Sequence, residues 1–148
     1  FALFSQGPVD LSCLEQLESV FVKQEIEMLE ALTGIETQNK YKIYAKTSPN
    51  APLLYAKEES SFCARNCLGS SRPFTLNILA PATGALIIKA ERPYTCCFPE
   101  LEVQDGSGRV IGHVKQKCAC CARVFHISDA IGTLLYEVYG PWYVVHFS

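Results

Sequence analysis

The stretch ERPYTCCFPELEVQ, Glu91 to Gln104, decides how this chain folds. Pro93 punctuates its start and Cys96 and Cys97 stand side by side. From Glu100 onward, Glu100, Glu102 and Gln104 alternate with Leu101 and Val103. Alternation with a period of two puts each set on its own face of a β-strand. DGSG follows at Asp105–Gly108, the strongest turn signal in the chain, and Arg109–Lys115 resumes the strand pattern, so the segment reads as a hairpin. The stretch also echoes an earlier one: RPFT at Arg72–Thr75 returns as RPYT at Arg92–Thr95, twenty positions on.

Working outward toward the N-terminus, Phe74–Leu79 and Ala85–Ala90 form a second hairpin across Pro81 and Gly84. A third joins Tyr41, Ile43 and Ala45, set against Lys40, Lys42 and Lys46, to Leu53–Lys57 through the turn-rich SPNAP at Ser48–Pro52. In Ser19–Leu29, Val20, Val22, Ile26 and Met28 hold one parity and Lys23, Glu25 and Glu27 the other. A helix there would put Glu18, Gln24 and Glu25 on its apolar stripe, so a strand fits better. Pro8 and Asp10 before Leu11, Leu14 and Leu17 predict a short helical turn. Toward the C-terminus, Val124–Ser128 and Thr133–Tyr139 flank Asp129 and Gly132, and Pro141 opens a last stretch through Phe147. That makes about ten strands with no helical pattern between them, which predicts an all-β antiparallel meander. Whether it forms a partial or a closed barrel is left open by the residues.

The totals set bounds. A chain of 148 residues suits one domain, and 49% hydrophobic content with 19% charge is the profile of a chain that folds. Thirteen basic residues against 15 acidic give a net charge of −2, no field for gathering phosphate backbones, so nucleic acid is not an expected partner. The longest apolar run, Ile78–Ile88, is broken by Pro81, Thr83 and Gly84, short of the roughly 18 residues a membrane helix needs. Phe1–Val9 has no basic lead or long apolar centre, which points to a cytosolic-facing chain. Position 1 is Phe and the one methionine is Met28, which reads as a piece of something longer.

Five strings carry a resemblance. VKQEIEMLEALTGIETQNKYKI (Val22–Ile43), ARNCLGSSRPFTL (Ala64–Leu76), ERPYTCC, ELEVQ and IGHV (Ile111–Val114) look like the phospholipid scramblase family, in the same order and at compatible spacings. The likeness is strong over Leu14–Val114 and fades over Lys115–Ser148, giving an N-terminal lead at 1–13 and a scramblase-like β domain at 14–148. It implies a tubby-like barrel of about twelve antiparallel strands round one apolar C-terminal helix, on the inner membrane leaflet. It also implies calcium-dependent, ATP-independent, bidirectional movement of phospholipids between leaflets, with no covalent chemistry and no catalytic residue. Family chains continue past the position matching Ser148 with further strands, an acidic segment proposed to bind calcium, and that helix. Calcium is thus expected from the family, while the segment proposed to hold it has no counterpart in this sequence. These residues present no polar path across a bilayer, so the chain by itself is expected not to move lipid.

The eight cysteines fall in three clusters, Cys63 and Cys67, Cys96 and Cys97, and Cys118, Cys120 and Cys121, with Cys13 apart. The resemblance nominates Cys96 and Cys97 for thioester acylation, although the family's cysteine string is longer there. Two adjacent acyl chains anchor stably where one does not. This places the chain, lipid-anchored, at the cytoplasmic face of the plasma membrane. The plainer role of such residues is that of small buried hydrophobes. The other two clusters form a further set of thiols. Zinc fits poorly, since adjacent Cys96 and Cys97 lack the usual ligand spacing that Cys63 and Cys67 have. His113, His126 and His146 lie on separate predicted strands, and a Cys–His hydrolase would need partners that meet only on folding. Glu25, Glu27, Glu30 and Glu36 read as a solvated face rather than a cation site, and Asp105 as a turn former. Trp142 and Tyr143, with Tyr136, Tyr139 and Phe147, make an aromatic end, whose commoner role is packing and whose other role is a membrane or partner contact. The alternative to lipid movement is an acylated peripheral adaptor that binds signalling proteins through its sheet edge or this aromatic end.

Overall fold

The computed structural model describes residues 11–15, 17–25, 38–61, 64, 68, 72–95, 97–117 and 123–140. One helical turn, α1 (Ser12–Glu15), precedes the sheet, with the Leu14 amide donating to the Leu11 carbonyl at 2.9 Å. Among the described residues nine strands follow: β1 (Val20–Glu25), β2 (Lys40–Ala45), β3 (Leu54–Glu59), β4 (Phe74–Leu79), β5 (Leu86–Arg92), β6 (Glu100–Asp105), β7 (Val110–Lys117), β8 (Val124–Asp129) and β9 (Leu134–Tyr139). They lie in one sheet in chain order, each antiparallel to the next, with β1 and β9 at its two ends. The all-β meander expected from the alternation is therefore present as an open sheet, a partial barrel. The stretch from Pro141 to Phe147 lies outside the described residues.

Register sorts the side chains, because residues directly opposite on neighbouring strands share a face. One face is apolar: Tyr41, Ala56, Ile78 and Ile88 stand in one row, and Leu101, Val114, Ile127 and Tyr136 in another. The opposite face is ionic: Lys40, Lys57, Asn77, Lys89 and Gln104 form one row, and Glu59, Thr75, Glu91, Glu102, His113 and Ser128 the next. The parity read for Tyr41, Ile43 and Ala45 against Lys40 and Lys42 is the parity observed. Burial concentrates on β2, β3 and β5, in Ala45, Leu54, Ala56, Ile87 and Ala90, whereas Phe21 on β1 is 61% and Tyr136 on β9 67% exposed.

The hairpins at one end share a plan. Asp105 Oδ1 accepts from the amides of Ser107 and Arg109 at 3.0 Å each, and Asp129 Oδ1 from those of Ile131 (3.1 Å) and Thr133 (2.7 Å). In each turn the glycine three positions on donates to the aspartate carbonyl, at 2.9 Å from Gly108 and 3.1 Å from Gly132. Those glycines have φ of 86° and 89°, a region closed to most side chains. Asp105 thus forms a turn, as its place in DGSG suggests. The Ser107 hydroxyl foremost holds its carboxyl down to about 2; desolvation opposes this, and the Arg109 and Ser107 amides reinforce it.

Two residues after each turn closes, the register slips. Ile87, Ile111 and Leu135 are the extra residues of bulges facing Ile78/Leu79, Val103/Gln104 and Ile127/Ser128. They recur every twenty-four residues, as do Gly84, Gly108 and Gly132, and the strings GALI, GRVI and GTLL carry the period in the sequence. Between two such units Gly112 lets β7 pass close to β8: a Cβ there would stand 2.6 Å from the Ser128 carbonyl oxygen.

Candidate functional site

At the opposite end of the sheet the apolar face receives a carboxylate. Glu58 lies opposite Leu76 and is 5% exposed. Its Oε2 accepts from Asn39 Nδ2 at 2.6 Å, and its Oε1 from Arg72 Nε (3.1 Å), Arg72 Nη2 (3.0 Å) and Ser60 Oγ (3.2 Å). Gln24 Nε2 extends the network by donating to Asn39 Oδ1 at 2.9 Å. Burial alone would push the Glu58 carboxyl up, but hydrogen bonds from Asn39 and Arg72, with the guanidinium charge, hold it below its ordinary value. Tyr41 nearby is raised, first by burial and then by the Glu58 charge.

The repeated RPFT and RPYT motifs meet here. Arg72 and Pro73 lead into β4, Arg92 ends β5, and Phe74 and Arg92 are Cα partners. Arg92 Nη2 donates to the Arg72 carbonyl at 2.6 Å, and its guanidinium stands 4.5 Å from the Phe74 ring centroid. Burial first, and then repulsion from Arg72, lowers the Arg92 pKa. The repeat is thus the two sides of one hairpin reaching the same level, with the Arg92 guanidinium bonded to the Arg72 carbonyl and the Arg72 guanidinium to Glu58.

On the ionic face beside this network lies a cleft of about 690 Å3, bordered by Glu59, Glu91, Glu100, Glu102, His113 and Pro93. Its carboxylates are met by neighbours. Lys115 Nζ is 2.9 Å from Glu100 and Lys57 3.6 Å from Glu59, Lys89 pairs with Glu91, and Gln104 donates to Glu102 at 2.7 Å. The two described histidines have carboxylates across the strands: His113 Nδ1 is 3.8 Å from Glu100 Oε1, and His126 Nε2 is 3.0 Å from Glu137 Oε1. Strand spacing had given no sign of these pairs. Among the described residues no three His, Cys, Asp or Glu side chains converge on a position that could hold a metal ion.

Of the nominated cysteines, Cys97 is described: it is exposed in the β5–β6 connection, between Tyr94 (57% exposed) and Phe98 (46%). Cys96, Cys63, Cys67, Cys118, Cys120, Cys121 and His146 lie outside the described residues, as do Glu27, Glu30, Glu36, Trp142, Tyr143 and Phe147. The strand ends that flank the three thiol clusters, Glu59 and Phe74, Arg92 and Glu100, and Lys117 and Val124, all finish at the same end of the meander. Tyr136 and Tyr139 do not pack as their commoner role suggested; both are 67% exposed on β9, the last strand of the sheet among the described residues.

An open antiparallel meander with one apolar face, one ionic face and an exposed thiol between aromatics defines a class: an all-β, partial-barrel domain. The particular family follows from comparison with known proteins. A family model described as Scramblase matches residues 1–148, beyond both ends of the Leu14–Val114 likeness, and this chain belongs to the phospholipid scramblase family. It is 40% identical over 141 residues to phospholipid scramblase 1 of Mus musculus, covering 90% of this chain and 42% of that protein. Phospholipid scramblase 2 of Bos taurus is 38% identical over 141 residues, with 90% and 47% covered. Phospholipid scramblase 4 of Homo sapiens is 32% identical over 143 residues, with 90% and 43% covered. The chain spans between 41% and 51% of the length of the curated relatives it matches. No solved structure matches it significantly.

Proposed function

We propose that this chain is the lipid-anchored β module of a protein that moves phospholipids between leaflets in both directions, dependent on calcium and independent of ATP. The observation that carries this reading is family membership over the whole chain, with relatives named for phospholipid scrambling. No bond is made or broken in such movement, and the chain's part is attachment and support. No helix among the described residues is long and apolar enough to cross a membrane. The polar path for headgroups is assigned to the assembled protein.

The test is a chimera in which this chain replaces the matched 141-residue region of the Mus musculus relative. In vesicles carrying a fluorescent lipid reporter, the chimera is expected to exchange lipid when calcium is added, without ATP, and the 148-residue chain alone is expected to leave the reporter in its leaflet. A folded but inert chimera, beside an active parent, counts against the proposal.

Attachment is assigned to acylation of Cys96 and Cys97, supported by the exposure of Cys97 and of Tyr94 and Phe98 around it. Each buried methylene of an acyl chain adds about 0.8 kcal/mol, so two chains hold where one exchanges. Cys96→Ala/Cys97→Ala should shift the chain from the membrane to the soluble fraction of expressing cells. The exposure of Tyr136 and Tyr139 favours the adaptor reading as the second: partner binding in detergent would then survive the double substitution. A double variant that stays on membranes would weaken both readings.

A further inference from the structure

We propose that Tyr94 and Phe98 seat the β5–β6 connection in the interfacial layer of a phospholipid bilayer without acyl chains, so that the sheet meets the membrane by one end rather than by a face. The inference deepens the attachment reading and rests on the chain working at a membrane. Its motive is a connection turned inside out. Residues 93–99 join β5 to β6, and among those described Pro93, Tyr94, Cys97 and Phe98 are exposed, each with an apolar body. Thr95, with its hydroxyl, is half-buried and lines the cleft. Pro99 is half-buried as well, its carbonyl accepting from the Gln116 amide at 3.0 Å. Surface connections ordinarily turn their polar side chains to water and cover the others.

A bilayer is the occupant this surface fits. Two aromatic side chains, each close to half exposed, offer on the order of 200 Å², whereas a stable protein interface takes roughly 800 Å² from each partner. Lipid needs no matching face. The Tyr94 ring suits the upper acyl region with its hydroxyl at the headgroups, and the Phe98 ring suits a deeper place. The carboxylates that flank the connection do not hold it off, since Glu91 pairs with Lys89 and Glu100 lies 2.9 Å from Lys115.

Antiparallel order fixes the orientation. The β3–β4, β5–β6 and β7–β8 connections leave the sheet at one end, and the turns at Asp105–Gly108 and Asp129–Gly132 stand at the other. Seating the first end keeps those turns, Ile131 included, in water. Two partly exposed rings give a contact that forms and breaks readily, so retention still falls to the acyl chains. Cys97, between the rings in sequence, is carried to the level where such a chain enters.

The experiment measures binding of the unacylated 148-residue chain to phosphatidylcholine vesicles at low and high salt. Reversible binding is expected at both, since charge does not drive it. Tyr94→Ser/Phe98→Ser should weaken it about tenfold or more and leave the thermal midpoint level, because both side chains are already exposed. Ile131→Ser/Leu134→Ser, an apolar loss at the opposite end, should bind like the native chain. Depth is read with Phe98→Trp and Ile131→Trp, each in a Trp142→Phe background: lipid brominated in its acyl chains should quench the first and spare the second. The proposal is overturned if the native chain stays off the vesicles, if the Tyr94/Phe98 variant binds as tightly, or if the Ile131/Leu134 variant loses as much. Equal quenching at both positions, or a dimer in sedimentation that the Tyr94/Phe98 variant dissolves, overturns it too. The acyl reading fails separately: vesicle binding lost with the rings, beside a Cys96→Ala/Cys97→Ala variant still on cell membranes, keeps this contact and removes that attachment.

Discussion

Arg72→Ala is expected to lower the free energy of unfolding by about 3–5 kcal/mol, the cost of leaving a buried charge without its partner. Glu58 is the charge concerned, with its side chain 7% exposed against 17% for Arg72. Asn39 and Ser60 would remain as neutral donors, while the two-point contact from Nε and Nη2 would be gone. Arg72→Lys should recover part of the loss, since an ammonium restores charge without the planar fork. Denaturant unfolding measures the difference, and an Arg72→Ala variant within about 1 kcal/mol of the native chain would sink the account.

The pH dependence has a definite sign. The Glu58 pKa is lowered in the folded state, so its contribution is complete above the unfolded glutamate value of about 4.3 and is lost as pH falls through the folded value. In Arg72→Ala burial goes unopposed by the guanidinium and the carboxyl moves the other way. The gap between native chain and variant should therefore narrow as the solution is acidified. It narrows first above the unfolded value of about 4.3, where the variant's carboxyl takes up its proton, and further below it, where the native chain's does.

Gly112→Ala is expected to cost about 3 kcal/mol, the upper part of the range for overpacking. The obstructing atom is the Ser128 carbonyl oxygen, 2.6 Å from where the new Cβ would stand, and a backbone atom in a paired strand cannot rotate aside. Gly112→Val should cost little more than alanine, because the first carbon already meets the obstacle. Unfolding midpoints of the two variants test this; an alanine variant with native stability would show that β7 and β8 can separate freely.

Hairpins were legible because their information is local. DGSG fixes a turn whatever surrounds it, and β4 runs from Phe74 to Leu79 as the alternation indicates. β5 extends past Ala90 to Arg92 because Phe74 across the hairpin still offers it a partner. The Glu58 network was not legible. KEESS at Lys57–Ser61 is a string of charged and polar residues, and only register sets Glu58 opposite Leu76 with Arg72, fourteen positions on, closing over it. The RPFT and RPYT repeat was visible, but not that the Arg92 side chain would bond the Arg72 carbonyl. The opposition of Lys23 to Lys42 and of Lys40 to Lys57 likewise exists only once β1, β2 and β3 are aligned. Family and fold class were readable together, since the matched strings are themselves the strands and their connections.

The bulges at Ile87, Ile111 and Leu135 sit on the return strand of successive hairpins, always just past the tip. Each pinches the ribbon at the same place, so the coiling accumulates in equal steps instead of arising at one hinge. Such an arc can be lengthened or shortened by whole modules of twenty-four residues without turning its greasy lining outward. A cut of any other size puts the pinch out of step with the pleat.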